Sequence, residues 1–113
     1  MKFISSEKLD KETYQNYLDE LENYSFYHTK DLLDYYSSST KSENLSFFCF
    51  EQQKLIGFVA LAFNNKNLSF SFGDVPCHLP VIKKSIIGRT RKKYLREIFL
   101  EIFKKFNLYK VKN

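Results

Sequence analysis

Asp74, Cys77 and His78 fall within five residues of one another, in the segment SFGDVPCHLPVI, and their types invite a chemical reading. A metal is the first thought. Zinc takes four ligands, and no second Cys/His pair stands at a usable spacing, because Cys49 sits alone in an apolar run. A Cys77 nucleophile would need a base brought to it in space, and a sequence neighbour such as His78 usually points elsewhere. The plainer reading makes Cys49 a small core residue and assigns Cys77 and His78 to a turn bounded by Pro76 and Pro80. His28 precedes a short helical pattern.

A second candidate lies just downstream. Lys83, Lys84, Arg89, Arg91, Lys92, Lys93 and Arg96 follow one another with no acid among them, and Gly88 interrupts the run. Such a cluster repels itself unless it is solvated or faces an anion. It reads either as a solvated loop and helix start, or as a site for a phosphate-bearing partner such as a nucleotide cofactor, a nucleic acid or an acidic lipid. The whole chain of 113 residues carries a formal charge of +5, very unevenly. Residues 1–53 hold 5 Lys against 10 Asp and Glu, a net of −5, whereas residues 54–113 hold 13 Lys and Arg against 3 acids, a net of +10.

The elements that must position these residues alternate between helical and extended patterns. Lys2 to Ser5 reads as an edge strand. Asp10 to Tyr24 reads as a helix, with Tyr14, Tyr17, Leu18 and Leu21 on one stripe and Asp10 as its cap. Thr29 to Ser37 is a second helix, capped by Thr29 and burying Leu32, Leu33 and Tyr36. The stretch 37–44 is polar loop. Leu45 to Phe50 and Leu55 to Phe63 are strands of one hairpin, and the unbroken apolar run of the second suggests cover on both faces. Leu68 to Phe72 alternates as a half-buried strand, which Leu79 to Ile82 resumes or underlies. The strongest helix begins at Arg91 or Lys92 and ends at Asn107. It carries Leu95, Ile98, Phe99, Ile102, Phe103 and Phe106 on its apolar side, with Glu97 and Glu101 on the exposed face. Tyr109 to Val111 begins a last strand. The order is β-α-α-β-β-β-α-β, an α+β fold with a mostly antiparallel mixed sheet flanked by helices.

A length of 113 residues is one domain, 1–113, with enough surface to bury for a core without staples. No apolar run approaches the roughly 18 residues that span a bilayer, so no membrane partner is expected. The start MKFISSEKLDKE has no secretory apolar segment, and two cysteines are too few for a disulfide scaffold, which together point to the cytoplasm. The 12 Phe and 8 Tyr are ordinary material for a core.

The hairpin FFCFEQQKLIGFVAL, with a polar tip before an "-IGF-" strand, and the segment KKSIIGRTRKKYLREIFLEIFKKFNLYKV resemble the GNAT (GCN5-related) N-acyltransferases. The likeness spans nearly the whole chain and rests on element order and hydrophobic texture. SFGDVPCHLPVI is also similar to the Fem-type aminoacyl and peptidyl transferases, whose folds are related. The resemblance implies an acyltransferase that uses acetyl-CoA or another acyl-CoA and transfers the acyl group to a small-molecule amine or sugar-nucleotide acceptor. It implies a pyrophosphate grip at Gly88, Arg89, Thr90, Arg91, Lys92 and Lys93, and it makes Asp74 and His78 the candidates for the base that takes the acceptor's proton. Two departures stand out. The family loop, Gln/Arg-x-x-Gly-x-Gly/Ala, is matched only at Gly88, and the family's last strands have no counterpart, so the chain reads as a truncated half-domain or a degenerate relative. An open sheet edge would then invite a homo-oligomer or a partner chain. A basic module binding nucleic acid is the competing class, without any named motif to support it.

Overall fold

Residues 1–64, 67–70 and 79–112 are described by a computed structural model; for Asn67 and 109–112 the description is of backbone alone. Strand β1 (Lys2–Ser5) leads through a short turn into helix α1 (Lys11–Leu21), followed by α2 (Lys30–Ser39). Strands β2 (Glu43–Asn44), β3 (Phe47–Glu51), β4 (Lys54–Val59), β5 (Ala62–Asn64), β6 (Asn67–Ser69) and β7 (Val81–Ile82) come next, and helix α3 (Gly88–Lys112) closes the chain. The fold is α+β. One antiparallel sheet runs β1-β3-β4-β7 and a second runs β2-β5-β6.

The two sheets share one bent hairpin. Its arms are 43–51 and 54–64, and the bend falls at Leu45-Ser46 and Ala60-Leu61. The Leu45 N–H bonds the Leu61 carbonyl at 2.8 Å, and the buried Ser46 hydroxyl accepts the Leu61 N–H at 3.0 Å where the ladder is interrupted. A side chain thus supplies the acceptor that the bend removes from the backbone, as a buried N–H requires.

The apolar run of β4 is covered on both faces. Tyr14, Leu18 and Leu33 of α1 and α2 pack on Phe48, Leu55 and Phe58 on one side. Phe47, Cys49, Ile56, Val59 and Ile82 face the other way, toward Ile98 of α3. Alternation along β3 sends successive side chains to opposite cores, and in β4 a bulge at Ile56–Gly57, opposite Cys49–Phe50, resets it, so that Leu55 and Phe58 share one core and Ile56 and Val59 the other; both cores are apolar because both are buried. Tyr14 sits edge-on to Phe48 and Phe58 at 5.2 and 5.7 Å and donates its hydroxyl to the His28 carbonyl at 2.6 Å. His28 itself is buried and accepts the Ser25 N–H at Nδ1, a structural role.

Several expectations need correction. The last strand, Tyr109–Val111, is helix, because α3 runs on through Asn107 to Lys112. No Gly or Pro follows Asn107, and Asn by itself only tolerates a stop. The same helix starts at Gly88 rather than Arg91 or Lys92. Leu95, Ile98 and Ile102 pack on the sheet as expected, but Phe99 and Phe103, at the edge of that stripe, are exposed, and Glu97 and Glu101 are partly buried. Thr29 does not cap α2 with its side chain; its hydroxyl turns back to the Phe26 carbonyl at 2.9 Å. Helix α1 stops at Leu21, short of Tyr24, because Glu22 adopts the left-handed conformation, φ 69°. Asp10 does cap α1, accepting the Thr13 N–H at 2.7 Å. Among the described residues no helix is long and apolar enough to cross a membrane.

Candidate functional site

The connection from β7 to α3 is where the basic run lies, and neighbouring elements hold it from three sides. The first anchor is β4. The Lys83 N–H bonds the Ile56 carbonyl at 3.0 Å, which extends the β4–β7 pairing by one residue. That pairing depends on Gly57, which stands opposite Ile82: a Cβ there would collide with the Val81 carbonyl oxygen. A lone glycine inside a strand commonly marks such a close backbone approach. The second anchor is Asn23, just past the end of α1, whose amide donates to the Ile82 carbonyl at 3.1 Å. The third is Arg91. Its Nη1 donates to the Lys83 and Ile86 carbonyls at 3.2 and 3.1 Å and so clasps the turn closed by the Ile86 N–H on the Lys83 carbonyl.

Past this turn the backbone reaches Gly88 with φ +63°, a left-handed conformation that side chains resist. Arg91 N–H to the Ile87 carbonyl, at 3.4 Å, is the first bond of α3. The N–H groups of Gly88, Arg89 and Thr90 precede it and have no acceptor among the described residues. Three free donors and the positive end of a 25-residue helix therefore coincide. A cleft of about 430 Å³ adjoins them, bounded by Lys54, Leu55 and Ile56 of β4, by Lys83 and Ser85–Ile87 of the turn, and by Thr90 and Tyr94 of α3. Behind the turn lies a smaller hollow of about 290 Å³, bounded by Glu20, Leu21 and Glu22 at the end of α1.

The structure sorts the expected residues. Gly88 shapes the backbone and Thr90 lines the cleft. Arg89, Lys92 and Lys93 are exposed at the helix start. Arg91 is different: its Nη1 is taken by the two turn carbonyls, so it positions the loop as well as carrying charge. Lys83 is likewise engaged, with Glu20 at 3.3 Å. The unbroken basic cluster of the sequence is thus two clasping residues and a set of free ones. Asp74, Cys77 and His78 lie outside the described residues.

Gly57, Asn23 and Tyr94 were not singled out from sequence. For Gly57 the signal was present, a glycine breaking the apolar run LIGFVALAF. Nothing local marked Asn23, whose partner is 59 positions away. Cys49 is buried, and burial, helped by the Glu101 carboxylate, pushes its thiol well above the ordinary range, so it is no nucleophile. Among the described residues no three His, Cys, Asp or Glu side chains are grouped to hold a metal. No protein family, no curated protein and no solved structure matches the chain.

Proposed function

We propose that the chain is an acyl-CoA-dependent N-acyltransferase of the GNAT type, or an incomplete form of one. Its coenzyme grip would be formed by the 83–87 turn and the start of α3. The observation that carries this reading is the set of unpaired N–H groups at Gly88, Arg89 and Thr90, opening α3 beside a cleft that runs along β4. A pyrophosphate accepts such donors and is favoured by the helix end. The neighbouring cleft, with Leu55, Ile56, Ile86 and Tyr94, suits an uncharged arm attached to that pyrophosphate. Arg89, Lys92 and Lys93 add exposed positive charge close by. The antiparallel sheet β1-β3-β4-β7, with α1 and α2 on one face and α3 on the other, supports the reading at the level of an α+β layout.

In the reaction so proposed, the amine nitrogen of an acceptor attacks the thioester carbonyl. The carbon–sulfur bond breaks, an amide forms, and coenzyme A leaves as the thiol. Asp74 and His78 remain the candidates for the base that accepts the amine's proton.

Ligand-induced thermal stabilisation tests the grip. Coenzyme A and adenosine 3′,5′-bisphosphate raise the melting temperature, and a mixed oligonucleotide at matched phosphate concentration does not. The reverse pattern, with strong dependence on salt, sinks the coenzyme reading in favour of a nucleic-acid module.

A further inference from the structure

The sheet divides the molecule by charge. On one of its faces lie α1 and α2, within residues 1–53, which carry a net of −5. On the other lies α3, within residues 54–113, which carry a net of +10. Ile98 is buried against the sheet. Relative to it, at the 3.6-residue period of a helix, Arg89, Lys92, Lys93, Arg96 and Lys104 all fall within about 60° of the opposite direction. All five are exposed, and none has a carboxylate partner among the described residues. Leu100 and Phe103 share the same arc and are 62 and 64% exposed. The two acids of α3 lie off it: Glu97 is on the flank and Glu101 nearer the sheet, and both are partly buried.

We infer that this outer arc of α3 rests on the surface of a bilayer rich in anionic phospholipid. The five cations meet the lipid headgroups, Leu100 and Phe103 enter the boundary between headgroups and acyl chains, and the acidic α1–α2 side faces away. Binding of this kind needs no spanning segment, so it is compatible with the lack of a long apolar helix among the described residues.

Charge complementarity selects an anionic occupant, and the shape of the arc selects an extended surface. From Arg89 to Lys104 the cations cover about 22 Å of a convex helix at the usual rise per residue, so a plane can touch all of them at once. The opposite signs on the two sides of the sheet orient the approach, because an anionic surface attracts the α3 side and repels the α1–α2 side. A nucleic acid would meet the cations through its phosphates and give Leu100 and Phe103 no apolar medium. A second copy docked through the same arc would set cation against cation.

The test is co-sedimentation of the full chain with vesicles of phosphatidylcholine, alone or mixed with phosphatidylserine. Binding to the mixed vesicles that weakens with added salt is expected, with little binding to the neutral ones. Arg96→Gln with Lys104→Gln should weaken partitioning roughly thirtyfold, and Leu100→Ser with Phe103→Ser roughly tenfold at unchanged charge. Lys8→Gln with Lys41→Gln removes the same charge from positions outside α3 and should change partitioning by no more than about twofold. All six positions are exposed, so the variants should keep the wild-type circular dichroism spectrum; should one pair unfold, the remaining pairs still decide the matter. No binding to either vesicle, or equal binding to both, overturns the inference. Equal weakening by the Lys8–Lys41 and Arg96–Lys104 pairs overturns it too, by reducing the effect to net charge. A mixed oligonucleotide that binds more tightly than the vesicles at matched phosphate, and is indifferent to Leu100→Ser with Phe103→Ser, overturns it in favour of a nucleic acid. Arg96 and Lys104 lie outside the coenzyme grip and no readout involves coenzyme A, so the result is independent of that reading.

Discussion

Gly57→Ala reverses the usual sign of a glycine substitution. Gly57 lies in extended backbone in the middle of β4, where alanine adopts the same conformation freely. With open space around it the replacement would stabilise the protein by about 0.4–1 kcal/mol, by restricting the unfolded chain. Here the added methyl meets the Val81 carbonyl oxygen, an atom of β7 backbone that no rotamer change can move aside. Relief requires β7 to separate from β4, and overpacking of this kind costs about 1–3 kcal/mol. With about 2.1 cal/mol/K of unfolding entropy per residue, a domain of this size changes its melting temperature by about 4 °C for each kcal/mol. The expected loss is therefore about 4–12 °C in a thermal melt. Strand β7 leads directly into the clasped turn through the Lys83–Ile56 bond, so the same displacement should reduce the stabilisation produced by adenosine 3′,5′-bisphosphate. An unchanged or higher melting temperature, with the bisphosphate response intact, would refute the claim that the β4–β7 approach sets the turn's position.

Three further outcomes follow from the same geometry. Arg91→Ala should weaken bisphosphate binding, because the Lys83 and Ile86 carbonyls lose their clasp, and Arg91→Lys should restore little, since the shorter side chain does not bring its nitrogen to where Nη1 donates to both carbonyls; equal rescue by Lys, read by thermal shift, would mean that charge and not positioning matters. Asp10→Ala should lower stability at neutral pH. Because the Thr13 N–H holds the Asp10 carboxyl below its ordinary value, that contribution is present above the unfolded carboxylate range and disappears as pH falls through the lowered value, so melts of variant and wild type should converge in acid. Cys49 should stay unmodified by iodoacetamide in the native protein and react once it is denatured, as peptide mapping would reveal.

The elements legible in the sequence were those whose packing obeys a single period. Tyr14, Leu18 and Leu21 share one stripe and bury together, and the unbroken run of β4 correctly implied cover from both sides. Helix α3 was harder because its apolar residues spread wider than the stripe that packs on the sheet. Periodicity alone merged Phe99 and Phe103 with Ile98 and Ile102, although only one set can face the sheet; the sheet's position decides which. Its C-terminal end was missed for a related reason, since residues 108–112 are compatible with helix or strand and the preceding turns continue into them.

The site was legible as charge and illegible as mechanism. A run of Lys and Arg reads as a solvated face or an anion site, and the sequence weights every member alike. The structure separates them by what each can reach: Arg91 folds back on two carbonyls, Lys83 meets Glu20, and the rest stay free. The distinction matters physically. A loop held by Asn23, Ile56 and Arg91 before any ligand arrives loses little further entropy on binding, so the interaction of an anion with the Gly88–Thr90 donors is not consumed in ordering the backbone. On the proposed coenzyme reading, Arg91 and Lys83 would contribute through the rigidity they confer, and an alanine scan that scored them only by lost charge would misassign their effect.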